Sequence, residues 1–295
     1  GAAWMNGTVI PISKAKIPVN DWGLVHSDIT YDVVPVIDGA FFRFDEYLAR
    51  FLSSMENLHL DPGMSKRDIQ AALHQMVSKS SLRDSYVAMV CSRGKPKIAG
   101  SRDPRDCENH FFAWCVPYVH IIKPEIVKQG ATAWIAQNAY RIPENSVNPL
   151  VKNYHWGDFT QGIFEAKDKD YETVILLDYD GNVTEGPGFN VFAVKDKVLI
   201  TPDKGVLAGV SRKTVLEMAE HLGINTSVRS LSVEELLEAD EVFLSSSGGG
   251  VIPIIRVNET IFGNGASGPI SVQLNETYWK WTTLEKYRDP IDYTL

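Results

Sequence analysis

The chain has 295 residues, 44% of them hydrophobic and 22% charged, the proportions of folded protein and a length for one large or two ordinary domains. A net charge of −8 at pH 7 argues against a nucleic-acid partner, which would normally want a basic face. No apolar run reaches the roughly 20 residues of a membrane span, so no membrane partner is expected.

In chain order, "TVIPIS" reads as a strand, and "VVPVIDGAFFRF" as a hairpin turning at Asp38-Gly39. A helix follows, with Asp45 near its start and Leu48, Phe51, Leu52, Met55 and Leu58 on one face. A second helix opens at Ser65, where Asp68 completes a capping box. Two strands, "SYVAMVCSR" and "HFFAWCVPYV", flank a Gly/Pro/Lys/Arg-rich loop at 94–106. From about 121 strands dominate: "GATAWIAQ", "ETVILLD", "VTEGPGFNVFAVK" and "VLITP". The helix "SRKTVLEMAEHLG" is ended by Gly223, and "SVEELLEA" opens on a second capping box, Ser232 and Glu235. The strand "EVFLSS" then runs into the glycines 248–250.

This pattern predicts an α+β protein: a small N-terminal domain, 1–120, packed on a larger strand-rich domain, 121–295, with a ligand between them. Cys91, Cys107 and Cys115 lack metal-ligand spacing and point to buried thiols in a reducing compartment, hence a cytoplasmic location. His59, His74, His110, His120 and His221 show no metal spacing either, so no metal site is expected. The opening Gly1-Ala2-Ala3-Trp4 has none of the charged–apolar–small pattern of a secretory signal.

Five features carry chemistry. Lys152, in "NPLVKNYHWGDF", is either a surface charge or a nucleophile; its neighbours Pro149, Leu150, Val151 and Tyr154 favour desolvation, which activates an amine. Glu185, beside Gly186-Pro187-Gly188 in an apolar strand, is a turn residue or the partner of a protonated ring nitrogen. Arg50, between core-facing Leu48 and Phe51, either reaches inward to a phosphate or snorkels outward. "KGVLAGVSRKTV" offers a helix start near Ser211 as an anion site, or simply a glycine turn with a serine cap. "SSSGGG" at 245–250 is a second cradle or a flexible turn. Jointly these are the needs of pyridoxal 5′-phosphate: an amine for the aldehyde, a carboxylate for the pyridinium, an arginine and a cradle for the phosphate.

The chain resembles the class IV aminotransferases, the fold-type IV pyridoxal-phosphate enzymes, through "DWGLVHSDITYDVVPVIDGAFFRFDEYLARF", "VKNYHWGDF", "VTEGPGFNVFAVKD", "TPDKGVLAGVSRK" and "EVFLSSSGGGVIPI". It looks most like the fungal-type (R)-selective amine transaminases, relatives of the branched-chain and D-amino acid aminotransferases. The resemblance implies that Lys152 forms the Schiff base and carries the proton, and that Glu185 pairs with the pyridine nitrogen. It gives the phosphate to Arg50, the Val210 and Ser211 backbone and Ser247, and packs Leu207 on the ring face. His26, Tyr31, Val33, Trp156, Ser246 and Gly248 would line the substrate pocket. Tyr86 and Ala88 stand where the amine transaminases show phenylalanine and glutamate, and Ala99 where they carry a carboxylate-binding arginine. The implied function is transfer of an amino group from an (R)-amine or D-amino acid to a keto acid such as pyruvate, by a homodimer. A branched-chain L-amino acid aminotransferase and a carbon–carbon lyase of the aminodeoxychorismate type are the alternatives.

Overall fold

The computed structural model describes residues 1–294. They form two units: one of residues 1–119, 151–155 and 284 onward, the other of residues 120–150 and 156–283. The return of 151–155 to the first unit differs from a single cut at 120. Its cause is local pairing, since Asn153 bridges to Thr30 and the Lys152 carbonyl accepts from the Tyr31 amide.

The first unit is built on a seven-stranded sheet, antiparallel throughout. Its spatial order is Arg288–Pro290, Ala40–Phe42, Ile29–Ile37, Ser85–Pro96, Cys107–Pro117, Ala2–Met5 and Thr8–Pro11. The Asp38-Gly39 turn forms as expected, with φ of 46° and 72°, the left-handed pair that matches hairpin twist. Helices Phe44–Asn57 and Lys66–Ser80 accompany the sheet, and Ser65 and Asp68 make the full capping box. Side-chain alternation splits the Ile29–Ile37 strand. Asp32, Val34 and Val36 lie on the side that meets helix Phe44–Asn57, through the ion pair of Asp32 with Arg50. On the opposite face Ile29, Tyr31, Val33, Ala88 and Val90 make a buried cluster, flanked by half-buried Tyr86, Phe112 and Trp114.

The second unit holds a mixed nine-stranded sheet. Its main path runs Asn225–Val228, Val198–Thr201, Phe189–Lys195, Glu241–Ser246, Gly250–Val257, Ala131–Tyr140 and Thr173–Leu177. Helix Gly157–Lys167 is the crossover between the parallel strands Ala131–Tyr140 and Thr173–Leu177. The short strand Glu185–Gly186 hangs on Phe189–Lys195, placing Glu185 opposite Asn190, which in turn lies opposite Ser245. Helix Val210–His221 ends as expected, with Gly223 at φ 70° just past its last turn. At helix Val233–Leu237 the expected reciprocal cap is half made. Ser232 accepts from the Glu235 amide, but the Glu235 carboxylate turns to Arg229, an ion-pair partner worth more to it than a neutral amide.

Candidate active site

In the first unit, Lys152 is fixed by its backbone. Its carbonyl accepts from Thr30 Oγ1 at 2.6 Å and its amide donates to Ser54 Oγ at 3.3 Å. Asn153 locks the next turn, donating to the Val151 carbonyl at 2.8 Å and accepting from the His155 amide at 2.9 Å. The Lys152 side chain places Nζ 4.6 Å from the centre of the Tyr31 ring, a cation–π contact. Tyr154 stacks on that ring, centroids 4.2 Å apart and planes inclined by 20°. Burial pushes the phenols of Tyr154 and Tyr86 above the ordinary tyrosine range, so both present neutral rings and hydroxyls rather than charge.

Arg50 reaches inward. Nε and Nη2 donate to the two oxygens of Asp32, both at 2.7 Å, and the Asp32 side chain is fully buried. Burial alone pulls the guanidinium down, but the charge and hydrogen bonds of Asp32 outweigh it and raise its affinity for its proton. The snorkelling alternative is thereby removed.

The structure gathers four of the expected substrate residues, Tyr31, Val33, Tyr86 and Ala88, on the apolar face described above. Tyr86 stacks on Trp114 at 5.5 Å. His26 is exposed at the end of helix Trp22–Val25, edge-on to Trp22, outside that cluster.

In the second unit, both oxygens of Glu185 are engaged. Oε1 accepts from Arg141 Nε at 3.1 Å, and Oε2 from the Leu207 amide at 2.9 Å and Asn190 Nδ2 at 3.5 Å. Arg141 also donates from Nη1 to Asp158 Oδ2 at 2.6 Å and lies 4.4 Å over the Phe159 ring. Asp158, in the first turn of helix Gly157–Lys167, accepts further from the Ile142 amide at 3.0 Å. All three charged side chains are less than a tenth exposed. Two buried carboxylates thus share one guanidinium by direct contact. Arg212 adds positive charge at longer range, offset by Asp203, while its own fork serves the Pro202 carbonyl and Thr201 Oγ1.

Helix Val210–His221 begins after Gly209 with no side-chain cap, so Ser211 is not the cap that was the simpler reading. Ser211 sits inside the first turn, buried, with Oγ 3.4 Å from the Tyr278 hydroxyl. An uncapped helix start suits an anion. In the other cradle, Ser246 Oγ donates to the Gly188 carbonyl at 2.8 Å and accepts from the Gly248 amide at 3.1 Å, so this hydroxyl holds the loop's shape. The Ile121 amide donates to the Gly248 carbonyl at 2.8 Å. Trp156 is half-buried, edge-on to Phe159 at 5.5 Å. Among the described residues no group of three or more His, Cys, Asp or Glu is placed to hold a metal.

Taken unit by unit, the chemistry of the residues suits pyridoxal phosphate: in the first an amine on a pinned backbone, in the second a buried carboxylate and a helix start without a side-chain cap. Sequence reasoning missed Asp32, Arg141, Asp158 and Asn190. Asp32 carried the same signal as Glu185, a carboxylate in the apolar run "ITYDVVPVI", which has to find a cation.

The family model for amino-transferase class IV matches residues 30–257. A putative branched-chain-amino-acid aminotransferase of Methanocaldococcus jannaschii is 27% identical over 278 residues, 93% of this chain and 94% of the relative. The D-alanine aminotransferase of Bacillus licheniformis is 29% identical over 273 residues, 90% of this chain and 92% of the relative. In structure, the T.th. branched-chain amino acid aminotransferase with pyridoxamine 5′-phosphate superimposes with a TM-score of 0.92 over 99% of both chains, at 24% identity.

Proposed function

The chain belongs to the class IV aminotransferases, pyridoxal-phosphate enzymes of fold type IV, and we propose that it moves an amino group from an (R)-amine or D-amino acid donor to a keto acid such as pyruvate. The observation that carries this choice of donor is the apolar face of the first unit. Tyr31, Val33, Tyr86, Ala88, Phe112 and Trp114 offer aromatic and aliphatic surface, and the ammonium that lies against it is that of Lys152, 4.6 Å from the centre of the Tyr31 ring. The apolar groups of an amine gain from burial against such a wall, whereas an α-carboxylate, which a D-amino acid carries as an L-amino acid does, has to find its cation elsewhere. The likeness to a D-alanine aminotransferase supports the same hand.

On this reading Lys152 is the catalytic residue: its amine would hold the cofactor through the aldehyde and, once displaced by the donor, would move the substrate proton. The cofactor, once bound, supplies the electron sink. Glu185 faces its ring nitrogen, and Leu207 packs on its ring. Arg50, the Val210 and Ser211 amides and Ser247 hold its phosphate. Tyr31, Val33, Tyr86 and Ala88 form the donor pocket, completed by Trp156, Ser246, Gly248 and His26, in a cytoplasmic homodimer.

A branched-chain L-amino acid aminotransferase is the second reading, favoured by the Methanocaldococcus jannaschii relative. Supplying the holoenzyme with pyruvate and either (R)- or (S)-1-phenylethylamine, and measuring acetophenone, decides between them. Acetophenone from the (R)-amine alone is expected. Turnover confined to L-leucine or L-valine would replace the first reading by the second.

A further inference from the structure

Building on the assignment of Glu185 to the cofactor's ring nitrogen, we propose that Arg141 is the positioning residue that keeps the proton of that pair on the nitrogen. Arg141 is held from three sides. Its amide donates to the Leu177 carbonyl at 2.8 Å, its guanidinium lies 4.4 Å over Phe159, and Nη1 is fixed by Asp158 at 2.6 Å. Asp158 is itself set by the start of helix Gly157–Lys167, accepting the Phe159 amide at 2.8 Å and the Ile142 amide at 3.0 Å. The fork therefore meets Glu185 Oε1 at 3.1 Å in one orientation.

The consequence is electrostatic. Glu185 already accepts from the Leu207 amide at 2.9 Å, and a guanidinium in contact adds a full positive charge to the stabilisation of its ionised form. A carboxylate held this way competes poorly for a proton it shares with a pyridine nitrogen. Arg141 touches Glu185 and Asp158 directly, so its charge is met by the two carboxylates. Without it, Glu185 and Asp158 would each lose a guanidinium in direct contact, and Glu185 would bind a proton more readily. Arg212 gives Nε to Thr201 Oγ1 and Nη2 to the Pro202 carbonyl, and reaches Glu185 only through its charge at longer range.

The test uses pyridoxal phosphate labelled with 15N in the ring, bound to the wild-type enzyme, Arg141→Met and Arg141→Lys. In the wild type the nitrogen resonance lies at the pyridinium position. In Arg141→Met it moves towards neutral pyridine, and in Arg141→Lys, which keeps a cation beside Glu185, it stays near the wild-type value. A purely structural role would lower stability without moving the resonance in the folded, loaded protein. Should Arg141→Met not fold, Arg141→Gln keeps a donor without the charge and must give the same displacement. A pyridinium signal in either neutral variant overturns the inference, as does a neutral nitrogen in the loaded wild type. A wild-type protein that takes up no cofactor sinks instead the reading on which the inference rests.

Discussion

Replacing Asp32 by alanine tests whether the first unit depends on one buried ion pair. The Asp32 side chain is fully buried and that of Arg50 is 12% exposed, with both oxygens accepting from the guanidinium at 2.7 Å. Asp32→Ala leaves the guanidinium in place with its counter-charge gone, a change that costs about 3–5 kcal/mol for a buried pair. Direct Coulomb attraction at close contact, about 4 kcal/mol at an effective dielectric of 20, gives the same scale. The loss is read by urea denaturation followed through tryptophan fluorescence. The companion Asp32→Leu/Arg50→Met removes both charges and orphans neither, so it should be less destabilised than the single variant. A loss below about 1 kcal/mol in Asp32→Ala, the level of an exposed pair, would refute the reasoning. So would a double variant as damaged as the single one.

Four further outcomes are expected. Lys152→Ala keeps the fold, because the Thr30 and Ser54 bonds go to its backbone, but loses all turnover; retained activity would remove Lys152 from its role. Gly186→Ala would set a Cβ 2.3 Å from the Val174 carbonyl and 2.2 Å from Phe189 Cζ, displacing the strand that carries Glu185; cofactor affinity measured by titration should fall at least tenfold. Burial pushes the Cys91 thiol up to about 12 from its ordinary value of 9.0, an effect that nearby Arg93 only partly opposes. The folded chain therefore keeps a proton that the unfolded chain releases, and stability attributable to Cys91 falls as pH rises from 9.0 towards 12. In thiol labelling of the native protein Cys107 should react first, with buried Cys91 and Cys115 reacting only on unfolding.

Local rules were legible wherever one residue type decides the backbone. The left-handed turn at Asp38-Gly39, the reciprocal cap at Ser65 and Asp68, and the helix stop at Gly223 each depend on neighbours within four positions. The Ser232 and Glu235 cap failed in half because Arg229, in the loop six residues before Glu235 and outside the capping-box pattern, competed for the carboxylate. The gathering of Tyr31, Val33, Tyr86 and Ala88 needed the register between Ile29–Ile37 and Ser85–Pro96, which no local pattern supplies. The placement of 151–155 with the first unit was hidden for the same reason, since the deciding bonds join residues more than 90 positions apart.

What the sequence did offer, and what was used only once, is the rule that a carboxylate in an apolar strand has to meet a cation. Applied to Glu185 it offered a ring nitrogen as partner; applied to Asp32, in the strand Ile29–Ile37, it calls for Arg50 as well. Each unit then carries a buried arginine in contact with carboxylate, Arg50 with Asp32 and Arg141 with both Asp158 and Glu185, and on the proposed reading the roles are exchanged between them. In the first unit the guanidinium of Arg50 is the working group and Asp32 aims it. In the second the carboxylate of Glu185 works, and Arg141, steadied by Asp158, keeps it ionised. The exchange follows from the charges to be met: a phosphate needs a cation whose direction is fixed, and a pyridinium needs an anion that does not take its proton. Neither partner is redundant, because removing it leaves the working group buried without its counter-charge.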